Sequence, residues 1–227
     1  MPLNLSFADS VARFYEPIHT QYHEGPTAGE LRCWLQRTFP QPRGLKALDA
    51  GCGFHLTNSK SLTAAGFETT SVDLNPPPGA MKGSVLDLPL ADNSFDLVIS
   101  TGVLHHTPDP PKGMAEVARV MKRGGMAYIS LYCFRACLWE WIVRSWRLFG
   151  RVVPFRVMHR LFSWSPTINN FVLDHMYVPT LWLYRRQEVI DMARQAGLEP
   201  VEDFRSVIDK GPGTGDGLLR VFVFRKP

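Results

Sequence analysis

The sequence predicts an α/β fold, a mainly parallel sheet flanked by helices, on three observations. Short apolar runs alternate with amphipathic stretches from residue 46 to residue 132, the pattern of right-handed βαβ units. The first run ends in a glycine pair, Gly51 and Gly53, that leads straight into a helical stretch, bringing backbone to the carboxyl edge of the sheet. The last two apolar runs have no helix between them, which predicts an antiparallel hairpin at the sheet's end.

In chain order, Ser6 to Tyr22 reads as a helix with Phe7, Val11, Phe14, Tyr15 and Ile18 at helical spacing and Pro17 as a kink or end. Glu24 to Thr27 breaks it, Ala28 to Phe39 resumes the periodicity, and Pro40 to Gly44 is a loop. Lys46 to Ala50 is the first strand. Asn58 to Ala65 is a helix with Gly66 just past its end, and Thr69 to Asp73 is the second strand, followed by a proline-rich loop from Asn75 to Gly79. Phe95 to Ser100 is a buried strand. Lys112 to Met121 is an amphipathic helix ended by Lys122-Arg123-Gly124-Gly125, and Met126 to Tyr132 is another strand. An aromatic and basic section then interrupts the alternation. It resumes with the helix Arg186 to Gln195, stopped by Gly197, and closes with strands near Pro200 to Phe204 and Leu219 to Phe224 around a glycine-rich loop, 210–217.

At 227 residues the chain fits one α/β domain with a sizeable core. Hydrophobic residues make up 45% and charged residues 20%, which excludes a disordered or highly charged chain. Cys33, Cys52, Cys133 and Cys137 show neither metal-ligand spacing nor a disulfide framework, so a reducing, cytoplasmic compartment is expected. Met1 to Leu5 lacks the basic start and apolar run of a signal peptide. No apolar run reaches the roughly 18 residues of a membrane-spanning helix. The net charge of +4 is unevenly spread: Cys133 to Ser165 holds six arginines (135, 144, 147, 151, 156, 160) and one acid, Glu140.

The strongest chemical signal is Leu48-Asp49-Ala50-Gly51-Cys52-Gly53, with Asp73 ending the next strand, where a carboxylate can accept from a ribose diol. A nicotinamide fingerprint would place a third glycine where Leu56 stands. Further on come Leu88-Pro89, Ser94-Phe95-Asp96, Val103-Leu104-His105-His106-Thr107-Pro108-Asp109-Pro110, and Glu116-Val-Ala-Arg-Val-Met-Lys-Arg-Gly-Gly125. With these four motifs in order, residues 45–132 resemble the core of class I methyltransferases dependent on S-adenosylmethionine (SAM), in particular the group that includes the ubiquinone and menaquinone biosynthesis enzymes.

The resemblance implies a Rossmann-like fold: a seven-stranded, mainly parallel sheet with an antiparallel terminal hairpin and a helical cap insertion. It implies one domain, with a helical lid at 1–40, a SAM-binding core at 45–132, a cap at 133–180 and the end of the core at 181–227. Asp49, Gly51 and Gly53 would border the methionine moiety, Asp73 would hold the ribose hydroxyls, and Leu74 would pack on the adenine. Ser84, Val85 and Leu86 would contact the adenine's polar edge, and Thr101 and Gly102 would line the cavity near the sulfonium. Two positions depart from the family pattern: His55 stands where a third glycine is common, and Ser84 where an aspartate often meets the adenine amine.

Outside these motifs, several readings stay open. Asn75-Pro76-Pro77-Pro78 resembles an element of base-amine methylating enzymes but follows the wrong strand, so a rigid proline loop is expected. His105 and His106 stand either as a general base or as a brace for the following loop. Asp174, His175 and Tyr177 face substrate or form buried structure. Tyr15 and His19 close over the cofactor or pack an ordinary amphipathic helix. The segment 138–164 is a cap over an apolar small-molecule substrate, or lies at a membrane interface. Its basic residues are interleaved with large apolar ones and the remaining surface is not basic, which argues against nucleic acid. The expected reaction is metal-independent, in-line methyl transfer. A SAM-binding protein without transfer, a nucleotide-binding oxidoreductase and a membrane-surface methyltransferase acting on a lipid are the alternatives.

Overall fold

Seven strands form one sheet in the computed structural model, which describes residues 27–133, 137–201 and 219–227, with Ser10, Val11 and Phe14 before them. The strands are β1 (Lys46–Ala50), β2 (Glu68–Asp73), β3 (Met81–Lys82), β4 (Phe95–Thr101), β5 (Met121–Tyr132), β6 (Glu199–Pro200) and β7 (Leu219–Arg225). Their order is β3-β2-β1-β4-β5-β7-β6. β1 to β5 run parallel, and β7 lies antiparallel to both β5 and β6. The chain leaves β1 toward β2 and β3, then returns to the other side of β1 as β4. The switch point, where open α/β sheets bind ligands, therefore falls between β1 and β4.

The helices are α1 (Thr27–Thr38), α2 (Thr57–Ala65), α3 (Pro110–Val120), α4 (Cys137–Gly150), α5 (Phe155–Phe162), α6 (Pro166–Tyr177) and α7 (Arg186–Gln195). Strand alternation splits the core in two. Leu48, Val98, Ile129 and Phe224 pack with Met114 and Val117 of α3 and Val189 of α7. Ala47, Leu97, Ile99 and Tyr128 pack with Leu31 and Leu35 of α1 and Leu62 of α2. Each such buried aliphatic or aromatic side chain contributes about 1.5–3 kcal/mol. Because both faces are covered, the middle of the central strands is a buried run, such as Leu97-Val98-Ile99, rather than an alternating one.

Within the described residues the sequence-predicted elements recur, most ends shifted by a residue or two, and the largest change is at the junction of α3 and β5. The helix expected over Lys112 to Met121 starts at Pro110, where Asp109 accepts from the Lys112 backbone at 3.1 Å, and ends at Val120. Met121 already belongs to β5, which runs through Lys122-Arg123-Gly124-Gly125 instead of starting at Met126. The reason is tertiary: Phe95 pairs with Met121 and Leu97 with Met126, so the extra residues bulge out of the ladder. Lys122 Nζ pins the bulge to Asp96 at 2.8 Å, and Gly124 N donates to Lys226 O at 2.8 Å. Asn75 to Gly79 is a loop, as the prolines imply. The expected helix Ser6 to Tyr22 lies mostly outside the described residues, as do the glycine-rich loop 210–217 and residues 202–204 of the penultimate strand.

Helices α4, α5 and α6 sit between β5 and α7, with α6 packed against both α4 and α5. Phe14 packs with Leu173 and Val178 and meets Phe155 edge-on, with ring centroids 6.1 Å apart. Among the described residues no helix is long and apolar enough to cross a membrane.

The bulge yields a stability prediction. A Cβ at Gly125 would lie 2.9 Å from Lys122 O, 3.1 Å from Asp96 O and 3.2 Å from Phe95 O, all backbone atoms. Gly125→Ala is therefore expected to cost about 1–3 kcal/mol in urea unfolding. Gly29→Ala, whose Cβ meets nothing within 4 Å on α1, is expected to gain a few tenths to about 1 kcal/mol.

Candidate functional site

All ten residues expected at the cofactor fall just past, or at, the carboxyl ends of four adjacent parallel strands. Asp49, Gly51 and Gly53 end β1, Asp73 and Leu74 end β2, Ser84 to Leu86 follow β3, and Thr101 and Gly102 end β4. Gly51 turns with φ +84°, and its backbone N–H and that of Cys52 both donate to Val72 O at 2.8 and 3.1 Å. A Cβ on Gly51 would overlap the Val103 side chain. This turn therefore needs glycine for its backbone angle and for the close approach. The third left-handed turn of the loop falls on Leu56, with φ 53°, rather than on His55. His55 is half-buried and meets the Phe54 ring edge-on.

Asp73 accepts from Gly53 N and Asn75 N at 2.9 Å each, one per carboxylate oxygen. A carboxylate oxygen takes about two hydrogen bonds, so each retains a lone pair. Asp49 is fully buried. Its Oδ2 accepts from Ser59 Oγ at 2.6 Å, while Oδ1 has no partner among the described residues. Burial pushes the Asp49 carboxyl up to about 6. At neutral pH this leaves a buried carboxylate oxygen unpaired at the switch point, which suits a ligand carrying positive charge.

Two further contacts hold the edge. Asn58 Nδ2 donates to Thr101 Oγ1 at 2.6 Å, and Gly102 N donates to Ser130 Oγ at 3.0 Å. Ser84 Oγ accepts from Leu86 N at 3.1 Å, closing the turn that shapes the loop after β3. The loop is clasped from behind: Glu116 accepts from Leu88 N at 2.8 Å, and Arg119 donates to the Leu88 and Leu90 carbonyls at 2.9 and 2.8 Å.

A second constellation lies beside this edge, where the cap meets the core. His105 and His106 form a single 3-10 turn after β4, Tyr132 ends β5, and Asp174 and His175 come from α6. Asp174 is buried and accepts from Tyr132 Oη at 2.7 Å, with His106 Nε2 3.4 Å away. His106 Nδ1 is 3.0 Å from Thr180 O, so it is a donor there. Burial opposes a charged His106, but Asp174 and the Thr180 carbonyl outweigh it and raise the imidazole above its ordinary value. His105 is fully buried between the His106 and Tyr132 rings, at centroid distances of 4.1 and 4.2 Å. Neither of its ring nitrogens has a partner among the described residues, and burial pulls its pKa well below the ordinary value. His175 Nδ1 donates to Phe171 O at 2.8 Å, leaving Nε2 as a buried, unpartnered lone pair, and burial lowers this imidazole too.

Four of the residues singled out in the sequence thus meet in space: His105, His106, Asp174 and His175. Tyr177 does not join them; its hydroxyl donates to Val153 O at 2.8 Å and its ring packs on Phe155. Tyr15 and His19 lie outside the described residues. Sequence reasoning missed Tyr132, although its place at a strand's carboxyl end was a usable signal. It also missed Arg147, hidden among six arginines, whose Nη2 donates to Val178 O at 3.0 Å. Among the described residues no group of three or more His, Cys, Asp or Glu side chains is arranged to hold a metal ion.

Residues 48–129 match a family model described as a methyltransferase domain. The chain is 32% identical over 182 residues to a putative methyltransferase of Encephalitozoon cuniculi, covering 74% of this chain and 80% of that protein. It is 26% identical over 211 residues to a ubiquinone biosynthesis O-methyltransferase of Bordetella pertussis, covering 86% and 78%. Among solved structures it resembles the 1,6-didemethyltoxoflavin-N1-methyltransferase of Burkholderia thailandensis, with bound 1,6-didemethyltoxoflavin and S-adenosylhomocysteine. The TM-score is 0.64 and the identity 17%, over 100% of this chain and 91% of that one.

The pairing of His106 with Asp174 makes stability depend on pH. Because His106 is raised, the pair's contribution is complete below the ordinary imidazole value and fades as pH rises through the raised one. Asp174→Asn is expected to cost about 3 kcal/mol near pH 6. That penalty should shrink on the alkaline side, as read from urea unfolding across pH.

Proposed function

The chain belongs to the class I SAM-dependent methyltransferase family, and on that premise we propose that it methylates a small, partly apolar acceptor held between the sheet edge and the α4–α6 cap. The observation that carries this reading is the pair of buried, unpartnered imidazoles, His105 and His175, walled by the rings of Tyr132 and Phe171. An apolar wall with a few convergent polar atoms is how proteins hold small ligands.

The cofactor's place in this reading follows the edge geometry. The unpaired Oδ1 of Asp49 faces positive charge on the methionine moiety beside Gly51 and Gly53, and the spare lone pairs of Asp73 accept from the ribose hydroxyls. Leu74 packs on the adenine, and the turn Ser84 to Leu86 offers it backbone groups, the Ser84 hydroxyl oxygen being engaged with Leu86 N. Thr101 and Gly102 would line the space near the sulfonium. SAM, when bound, supplies a sulfonium methyl that an acceptor atom takes by in-line displacement, chemistry that needs no Lewis acid.

The chain's own residues then align the acceptor, exclude water and hold its proton. His106 is unsuited to take that proton, since its Nδ1 is committed to Thr180 and its charge to Asp174; it braces the site. The lone pairs on His105 and His175 are available, and His175 Nε2, fixed as acceptor by the Phe171 carbonyl, is the general base of this proposal. His105 orients the acceptor group. The cap, residues 133–180, and the N-terminal segment, residues 1–40, carry selectivity within a single domain, a division supported by Phe14 packing against Phe155. The unpaired thiols Cys33, Cys52 and Cys133 suit a reducing compartment.

Incubating the protein with SAM and metabolite pools should give one product heavier by a single methyl. SAM binding without any methylated product would sink the transfer step, and NADH binding without SAM binding would sink the whole reading. His105→Ala and His175→Ala are expected to lower kcat by about 10²- to 10⁴-fold for a protonated acceptor with SAM affinity unchanged.

Asp49 sets a separate test. A cationic ligand favours its ionised form, so SAM affinity should climb as pH rises toward about 6 and level off above it. Asp49→Asn should remove this slope and weaken binding by about tenfold or more, as read by calorimetry.

A further inference from the structure

The cap has two faces. Inward, Val143 of α4 is buried, Trp146 meets Phe171 of α6 edge-on, and Gly150 lies against Met176. On α5, Phe155 and Met158 pack toward Leu173 and Tyr177. Outward, large apolar side chains stand in solvent. Trp141 is 67% exposed, Val152 76% and Trp164 73%, with Leu148, Val157 and Leu161 also exposed. Trp141 and Leu148 lie two turns apart on one stripe of α4, and Val157, Leu161 and Trp164 follow the same spacing along α5 and just beyond it. This exceeds the scattered apolar exposure normal for a protein surface.

The charged side chains described on this face are all positive. Arg144, Arg151, Arg156 and Arg160 are exposed among these apolar residues. From Trp141 to Leu173 the sequence contains no aspartate or glutamate, and the acid that follows, Asp174, is buried. The described face is thus apolar residues interleaved with arginine, with tryptophan at either end.

We infer that the outer face of α4 and α5 docks on the surface of an anionic lipid bilayer. The tryptophan, leucine and valine side chains enter the headgroup boundary, and the four arginines meet lipid phosphates. Charge decides among occupants. A second copy would set four arginines against four arginines across a dehydrated interface, which like-charge repulsion opposes. A negatively charged bilayer matches the sign. Arginine also keeps its charged head at the phosphates while its stem lies along apolar surface. Docking this way sets α6, and with it Asp174 and His175, one helix layer from the lipid surface. The inference does not depend on the identity of the methyl acceptor.

The test is flotation of the full chain with phosphatidylcholine vesicles, with and without phosphatidylglycerol, at low and high salt. The expected result is flotation with phosphatidylglycerol vesicles at low salt, reduced by high salt. The triple variant Arg144→Gln, Arg156→Gln, Arg160→Gln should lose about fivefold in partitioning per arginine. Trp141→Ser with Trp164→Ser should also release the protein, while Arg186→Gln with Arg194→Gln on α7 should leave flotation unchanged. SAM affinity equal to wild type verifies that each variant is folded. Three outcomes overturn the inference: no flotation of the wild type, flotation indifferent to phosphatidylglycerol and salt, or a dimer on size-exclusion chromatography that Trp164→Ser disperses.

Discussion

The contact between His106 and Asp174 is where the helical cap meets the sheet, and the arrangement of the site depends on it. Taking two ionisable groups out of water costs several kcal/mol per ion, recovered only where geometry and further hydrogen bonds are good. Here both partners are supplied: Asp174 also receives the Tyr132 hydroxyl, and His106 also reaches the Thr180 carbonyl. Thr180 follows α6, so one imidazole fixes both the helix and its exit. Apolar packing tolerates sliding, whereas a directional, desolvated pair does not. The cap is therefore held at one register over the edge, and His175, next to Asp174, is held with it.

The sheet edge is rigid for a different reason. Four parallel strands end side by side, and the turns leaving them are tied to neighbouring strands: Gly51 and Cys52 to Val72, Gly53 to Asp73, Gly102 to Ser130. These are backbone donors, so the edge keeps its shape without large side chains, and its glycines leave room for a ligand. Asp49 is the exception, a buried carboxylate with one oxygen left over. A charge kept in this state is unfavourable for the free protein, and binding a cationic group relieves it. Affinity for such a ligand thus derives partly from strain already present in the fold.

How much of this could be read in the sequence follows from the range of each interaction. The glycine turn, Asp73 and the βαβ alternation are local patterns, and the structure places all ten cofactor candidates on one edge. The start of β5 falls earlier than its pattern suggests because Gly124-Gly125 resembles a helix stop; what keeps those residues in β5 is Lys122 on Asp96 and the backbone of Lys226, contacts no local window contains. β3 is two residues long and has no periodicity to detect. His106 and Asp174 are each legible as candidates, but nothing in the chain says that they touch, or that the Tyr132 hydroxyl completes the cluster. The tetrad Glu116 to Arg119, by contrast, was recognised as a motif without its purpose, which the clasp on Leu88 and Leu90 supplies.

Three histidines in one cluster have been given different properties by their surroundings alone. Burial acts on all of them in the same direction, disfavouring charge. Asp174 favours charge on all three, but only on His106, which also meets it in a hydrogen bond and donates to the Thr180 carbonyl, does this outweigh burial; His105 and His175 are lowered. Environments that push titratable groups apart assign their roles: a charged histidine bonded at both nitrogens is suited to holding structure, and a neutral one with a free lone pair is suited to receiving a proton. The same carboxylate separates the roles in space as well. Asp174 draws the positive charge to the core side of the cap, so the imidazole next to it on α6 keeps its lone pair for whatever the site encloses.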